Sequence, residues 1–528
     1  MGIRFIFKLF IALFCLEQAV SAEVVKAPKN YTLTVHKFKF SGNTVFSDNQ
    51  LEQLLKTFTN RLITIDKIHE AGQLITKFYV SAGYVNSGAT LPDQKINDGV
   101  VEFKIIEGRL AKISIATDSP FHPSYIRGRI RKDLHTPLHF PTLQRPLYFL
   151  NNEPVIERIQ AELLPTDVFG EAELKLKLSP HSPVTVAAGV DNHKSPNIGD
   201  IQRFVTTELK NLSGWNETTV LRYADTNGLR DFSAFFSVPL NYDDTRLILN
   251  YQDSSSTIIN DIFSDLDVDS SSRLIDIGLR QPLFRSPDSE LAVFMKLALK
   301  RNETTLLNLP YQYTAELDDG VARRTVLSFG QEWIERSSKH ALTIRSTFDI
   351  STSWLNATTV SHPADGVFLA WLGQVQWLRR LPFLHSQLLF KTNLRLTDDE
   401  VPPSEKFAIG GYSTVRGYRE NALTGDQGFT SALELQMVVA NVKCPGLSDG
   451  PEDGDFYLIP FIDFGKVWNK ELEVNNTDIG SVGLGVRWIP SKRSKIELFW
   501  GHALRDLDQD ADYSLQDDGI HFNFTLMF

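Results

Sequence analysis

From Val184 to Phe528 the chain repeats with a period of two, and that repeat leaves few folds open. Leu342, Ile344, Phe348 and Ile350 fall on one side of an extended segment, while Thr343, Arg345, Thr347 and Asp349 fall on the other. The split recurs with Leu291, Val293, Met295, Leu297 and Leu299 against Lys296 and Lys300, and with Leu388, Phe390, Leu394 and Leu396 against Gln387, Lys391, Asn393 and Arg395. Near the end Val482, Leu484, Val486 and Trp488 oppose Gly483, Gly485 and Arg487, and Ile496, Leu498 and Trp500 oppose Lys495 and Glu497. A water-soluble sheet would bury its apolar side in a shared core. Charge opposite nearly every apolar face instead suits a closed antiparallel barrel, apolar toward lipid and polar toward a lumen. We read about sixteen strands, an even count that lets one chain close with both ends on the same side. The eleventh covers 386–397, the twelfth 429–439 and the thirteenth 455–466.

A membrane barrel has to be exported, and residues 1–22 read as a cleaved signal peptide. Arg4 and Lys8 precede the apolar run Leu9–Leu16, and Val20-Ser21-Ala22 closes it with small residues. Cys15 follows Phe14, where a lipid-modified cysteine needs a small residue. After cleavage Cys444 stands alone, which excludes an intramolecular disulfide or a cysteine metal site. No later apolar run reaches about 18 residues, so helices do not span the membrane. The formal net charge of -10 argues against nucleic acid. Asp265-Leu-Asp-Val-Asp269 resembles the opening of an EF-hand, but Ser270 stands where glycine is needed and Asp276 where glutamate would close the site. We read it as a solvated extracellular loop. His-Glu-x-x-His, Gly-x-Ser-x-Gly, P-loop and Cys-x-x-Cys patterns are all missing from the sequence, so no catalysis, cofactor or metal is expected.

Residues 31–107 read as an α+β domain of order β-α-α-β-β. A strand runs through Leu33, Val35, Phe38 and Phe40, and a helix opened by Asp48 carries Leu51, Leu54, Leu55 and Phe58. A second helix over 64–82 stops at Gly83, and short strands follow over 84–90 and 100–106. Residues 110–180 read as a second such domain, with strands over 113–116, 155–163 and 171–178 and helices over 123–134 and 143–150. The basic run Arg127–Lys132 reads as a solvated helix face, although its charges also suit an acidic partner or lipid head groups. His135 and His139 are spaced as helical metal ligands, but Pro137 between them opposes a helix, and we assign no metal there.

The connection 398–428 holds Phe407-Ala-Ile-Gly-Gly-Tyr-Ser-Thr-Val-Arg-Gly-Tyr418. Its glycines allow a tight fold, and an arginine held in such a loop needs a fixed carboxylate to match its planar fork. The candidate is Asp463 in Phe461-Ile-Asp-Phe-Gly465. If Phe456, Leu458, Ile462 and Phe464 face lipid, Asp463 and Gly465 face the lumen. Together, Val415-Arg416-Gly417-Tyr418 and Phe461-x-Asp463-x-Gly465 resemble the VRGY/F and F-x-D-x-G pair of the outer-membrane protein-transport superfamily that includes the BAM-type insertases. The resemblance implies that this is the sixth extracellular loop, that it folds into the lumen, and that Arg416 pairs with Asp463. Gly83-Tyr84, Leu91-Pro92-x-Gln94, Asp98-Gly99 and Ile106-Glu107-Gly108 are similar to the POTRA domain of two-partner secretion transporters. In that branch Tyr84, Pro92 and Gln94 would contact the cargo, and turn and packing chemistry accounts for them equally well. The alternating end Ile520, Phe522, Phe524, Leu526, Phe528 resembles a C-terminal assembly signal of outer-membrane barrels.

The expected architecture is therefore two periplasmic α+β POTRA domains, 31–107 and 110–180, followed by a transmembrane antiparallel β-barrel over 181–528. The resemblance implies the outer-membrane component of two-partner secretion. Its POTRA domains would capture an unfolded secreted exoprotein, an adhesin or haemolysin, which crosses the lumen without nucleotide hydrolysis. Outer-membrane lipids and the barrel-assembly machinery are the other partners it implies. The alternative is an assembly factor of BAM or TAM type, against which two POTRA domains and the Leu-Pro-x-Gln motif count. A passive porin and a surface adhesin are further alternatives. Glu23–Asn30 is too short for a barrel-plugging helix and its linker, so we expect no plug; that leaves open how the resting pore is sealed, with the sixth loop as the candidate.

Overall fold

The computed structural model describes residues 32–116, 119–260, 266–311, 320–358, 367–383, 385–448, 450, 453–470, 477–507 and 513–528. The signal peptide, Cys15, the segment Glu23–Asn30 and Asp265 lie outside them. The chain forms two compact units, divided between His181 and Ser182.

The first unit holds two α+β domains, each with its own core. In the first, β1 (Thr32–Val35) and β2 (Lys37–Ser41) precede α1 (Asp48–Leu54), β3 (Arg61–Thr64), α2 (Ile65–Ser81), β4 (Gly88–Thr90) and β5 (Val100–Ile106). The expected single first strand is two. Its apolar positions shift phase at His36, from Leu33 and Val35 to Phe38 and Phe40, and a one-residue slip turns the side chains to the other face. β1 accordingly pairs antiparallel with β3, while β2 pairs parallel with β5. The strand expected over 84–90 is only β4, because Gly83 and Tyr84 still close the helix end. Val35, Phe38, Leu51, Leu55, Ile68, Ile75, Tyr79, Val101 and Phe103 fill the core.

The second domain runs β6 (Arg109–Ile115), α3 (Pro123–Arg131), α4 (Phe140–Asn151), β7 (Ile156–Pro165) and β8 (Glu171–Pro180), with sheet order β6-β8-β7. The basic run on α3 is not wholly solvated. Arg129 is buried, sits over the Tyr125 ring and pairs with Glu153 at 3.3 Å. One turn of helix brings Tyr125 beneath it, and buried charges require such partners. His139 is not helical either: it packs on Tyr84 and reaches Thr142 Oγ1 at 3.2 Å.

The second unit is a closed barrel. Its strands are β9 (Val184–Asp191), β10 (Gln202–Lys210), β11 (Thr218–Asp225), β12 (Leu229–Pro239), β13 (Arg246–Thr257), β14 (Asp269–Arg285) and β15 (Ser289–Leu306). They continue after the two-residue β16 (Leu309–Pro310) with β17 (Val321–Arg336), β18 (His340–Thr352), β19 (Leu369–Arg380) and β20 (Gln387–Thr397). The hairpin pair β21 (Phe407–Ile409) and β22 (Leu423–Gly425) lies in the next connection, followed by β23 (Gln427–Asn441), β24 (Asp455–Trp468), β25 (Asp478–Ser491), β26 (Ser494–Ala503) and β27 (Ile520–Met527). Leaving out β16, β21 and β22, sixteen antiparallel strands close the wall, with β27 against β9. Ile275, Ile277, Met295, Phe329, Trp333, Ile462, Phe464 and Trp500 are exposed on the outside, as lipid-facing residues must be.

Candidate functional site: the loop docked on the barrel wall

Residues 398–426 leave β20, fold inward and return to β23. β21 and β22 pair within the loop, and Ile409, Val415 and Tyr418 bury against Val467 and Ile479 of the wall. The turn after β21 places Thr414 Oγ1 to accept from Gly410 N–H at 2.9 Å, and Gly411 N–H donates to Val415 O at 3.0 Å.

That turn delivers Arg416 to a set of prepared partners. Nε donates to Asp463 Oδ2 and Nη2 to Asp463 Oδ1, both at 2.8 Å, and the backbone N–H of Arg416 donates to Oδ2 at 3.1 Å. Nη1 donates to Glu434 Oε1 at 2.8 Å. The guanidinium carbon lies 3.7 Å from the Phe461 ring centroid and 5.0 Å from that of Phe499. The Arg416 side chain is 4% exposed and that of Asp463 0%. A buried bidentate pair in this geometry is far stronger than a surface ion pair, and the aromatic face adds cation–π attraction.

Each neighbouring motif residue has a contact of its own. A Cβ on Gly465 would come 2.8 Å from Val415 Cγ2, so the glycine leaves room for the valine. Gly417 has φ +90, which favours glycine, and a Cβ there would lie 2.8 Å from Gly501 O. Its N–H donates to His521 Nε2 at 3.3 Å. Tyr418 donates its hydroxyl to Gly480 O at 2.9 Å and accepts from Arg505 N–H at 3.3 Å. Gly483 and Gly485, opposite the lipid-facing residues of β25, make space for the Phe461 and Phe499 rings under the guanidinium.

Several partners were not anticipated. Glu434 is the second carboxylate of Arg416, and Gln436 Nε2 donates to its other oxygen at 2.9 Å. Asp463 stands opposite Ala432, so Glu434 lies on the lumenal side two residues on. That position was readable from the sequence once the register of β23 on β24 was known. Arg419 grips Asp517 from the loop before β27, with Nη2 to Oδ2 at 2.7 Å, and Gln516 accepts from Glu420 N–H at 2.9 Å. At the start of the loop, Lys300 Nζ reaches Glu405 at 2.7 and 2.8 Å, and Arg324 donates to Ser404.

The remaining expected site residues lie elsewhere. Gln94 donates to Glu102 O and accepts from Glu102 N–H, both at 2.8 Å, so its amide occupies the β5 edge just beyond β4. Pro92 O accepts from the same amide at 3.4 Å. Tyr84 packs among Phe46, Tyr79 and His139. Phe528 N–H donates to Val186 O at 2.7 Å, continuing the seam past β27.

A closed outer-membrane-type barrel, preceded by α+β domains and bearing an inward loop bound to its wall, defines a POTRA-type outer-membrane transporter. The family model described as haemolysin secretion/activation protein ShlB/FhaC/HecB matches residues 170–488, and that of the ShlB-type POTRA domain matches 33–108. The chain belongs to the ShlB/FhaC/HecB family, the outer-membrane transporters of two-partner secretion, with the POTRA domain in the periplasm. It is 23% identical over 476 residues to the outer membrane transporter CdiB of Dickeya dadantii strain 3937, covering 86% of this chain and 81% of that one. It is 20% identical over 433 residues to the heme/hemopexin transporter protein HuxB of Haemophilus influenzae strain 86-028NP, covering 78% and 73%. In fold it is similar to CdiB from Escherichia coli, with TM-score 0.67 at 18% identity over 97% of this chain and 93% of that one. BamA from Haemophilus ducreyi lacking POTRA domains 1–3 shares the fold at TM-score 0.57 and 14% identity, over 94% and 100%.

Proposed function

We propose that the partner exoprotein crosses through the barrel lumen, and that Arg416 on Asp463 and Glu434 fixes loop 398–428, which also seals the lumen at rest, in its transport-competent position. The bidentate, fully desolvated Arg416–Asp463 pair carries this reading. Residues 1–22 direct export, 110–180 act as a second POTRA domain, and the periplasmic unit holds the exoprotein unfolded before entry. The cargo class is a large β-helical adhesin or haemolysin, and no nucleotide is consumed. The barrel-assembly machinery inserts the chain, reading the end at Phe528. Tyr84, Pro92 and Gln94 shape the first domain, and a cargo strand adding at the β5 edge has to displace the Gln94 amide.

The test is secretion of a candidate large exoprotein co-expressed with this chain, with barrel level and heat-modifiable gel mobility followed in parallel. Removing one partner of a buried ion pair costs about 3–5 kcal/mol locally. Arg416→Ala should therefore cut secretion at least about tenfold, equivalent to ~1.4 kcal/mol, with barrel levels kept. Unchanged secretion sinks the role of the pair. Defective assembly of other barrels, appearing before any secretion defect, would move the chain to the insertase reading.

A further inference from the structure

On the outer face of the barrel, three arginines stand side by side. Arg273 of β14 is directly opposite Arg301 of β15, and Arg301 is directly opposite Arg323 of β17. Directly opposed side chains in a sheet lie about 5 Å apart at Cβ, and like charges so placed repel. Two of the three have a carboxylate: Asp253 lies 2.8 Å from Arg273 Nε and Glu303 lies 3.1 Å from Arg301 Nη2. Even so, the Arg273 and Arg301 side chains stay 52% and 47% exposed. Arg323 is exposed, and among the described residues its guanidinium has no hydrogen-bonding or ionic partner. The alternate residues Lys300 and Arg324 turn to the lumen, where Glu405 faces them, so they do not compete for an external ligand.

Height on the wall identifies the ligand. β9 follows the periplasmic unit, so β15 rises from its periplasmic start at Ser289 to its extracellular end at Leu306. The next outward pair below the arginines, about 7 Å along the strand, is Ile275 opposite Leu299, both exposed to lipid. Ile277, Met295 and Phe329 continue that apolar face downward. The arginine row therefore sits one step above the hydrocarbon belt, at the head-group level of the outer leaflet. Among the described residues, three guanidinium groups against two carboxylates leave a surplus of positive charge there, in the planar form that grips phosphate oxygens bidentately.

We propose that Arg273, Arg301 and Arg323 bind the phosphorylated head group of an outer-leaflet glycolipid, which neutralises their mutual repulsion and fixes the β14–β15–β17 sector in the membrane. The assignment rests on the outer-membrane placement of the barrel and is independent of the lumenal route.

The full chain, purified in uncharged detergent, is titrated with bis-phosphorylated lipid A and with the same lipid after phosphatase treatment, and bound lipid is counted by native mass spectrometry. The phosphorylated form should bind at least about tenfold tighter. The double variant Arg301→Gln, Arg323→Gln should lose that preference, and Glu303→Gln should keep or strengthen it, with heat-modifiable mobility unchanged in all. Equal binding of the two lipids, or a preference surviving in the double variant, overturns the proposal. Displacement by inorganic phosphate alone also overturns it, since the site would then hold a free anion and not a lipid.

Discussion

Val415, Arg416, Gly417 and Tyr418 each meet a different wall residue, so the docked loop should fail in graded ways. Gly465→Ala leaves every charge in place but puts a methyl 2.8 Å from Val415 Cγ2. Overpacking of this kind costs about 1–3 kcal/mol. We expect faster protease cutting within 398–428 and reduced secretion, while the barrel still reaches the outer membrane at normal levels; uptake of the methyl without either change would show that the contact is slack. A second residue-scale case is Glu107. Burial alone would raise its pKa, but the Thr44 hydroxyl, the backbone N–H groups of Val45 and Thr44, and the Tyr79 hydroxyl all donate to it and hold it below the ordinary carboxylate value of 4.5. A folded-state pKa below the unfolded one stabilises the fold at pH above about 4.5, and that contribution is lost as pH falls through the folded value. Glu107→Gln in the periplasmic unit should cost on the order of 1 kcal/mol at neutral pH, discounted for partial exposure. Urea melts of the two forms should converge in acid, and an equal gap at both pH values would contradict this account.

At the scale of elements, the loop has two anchors. Arg416 fixes its tip, and Glu405 fixes its start to Lys300 of β15 and, at 4.0 Å, to Arg324 of β17. These strands are separated from β24, the strand of Asp463, by the β18–β20 and β23 wall, so the loop is stretched between two sectors. Lys300→Glu should release the start of the loop and raise single-channel conductance in planar bilayers. Adding Glu405→Lys should restore the pair and lower conductance toward wild type, and a double variant as open as the single would show that the contact does not seal. The strands themselves were legible in the sequence because each barrel strand meets lipid on one side and water on the other. The start of the first domain was misread because Leu33, Val35, Phe38 and Phe40 were joined across a phase slip at His36. β3 went unseen because only Ile63 of its four residues is buried. Arg416 and Asp463 were legible as a local pattern, whereas Glu434, Asp517 and Glu405 depend on which strands and loops meet, which spacing along the chain does not record.

For the whole molecule, the wall is unevenly closed. β15 and β17 pair without interruption from Ser289 to Glu303, whereas β27 and β9 share five register pairs, Asn523–Asp191 to Met527–Ala187. Asn192 extends that short seam with its side chain, accepting from Phe522 N–H and donating to Ile520 O, both at 2.8 Å. Loop 398–428 is tied to the same region through Gln516, whose amide donates to Asn192 O at 2.6 Å. A weak seam beside the lumenal loop gives two exits for a polypeptide: along the lumen, or sideways between β27 and β9. Ala187 and Met527 form a non-hydrogen-bonded pair next to the mutually bonded Val186 and Phe528, a spacing of about 4.5 Å between Cα atoms that lies within the range a disulfide bridges. Cysteines at both positions, in a Cys444→Ser background, would lock the seam by oxidation. Passage along the lumen predicts secretion within about twofold of the reduced form, a difference under ~0.5 kcal/mol. Secretion that stops on oxidation and returns with reductant would require the seam to open, and would place the Arg416 lock upstream of a lateral exit.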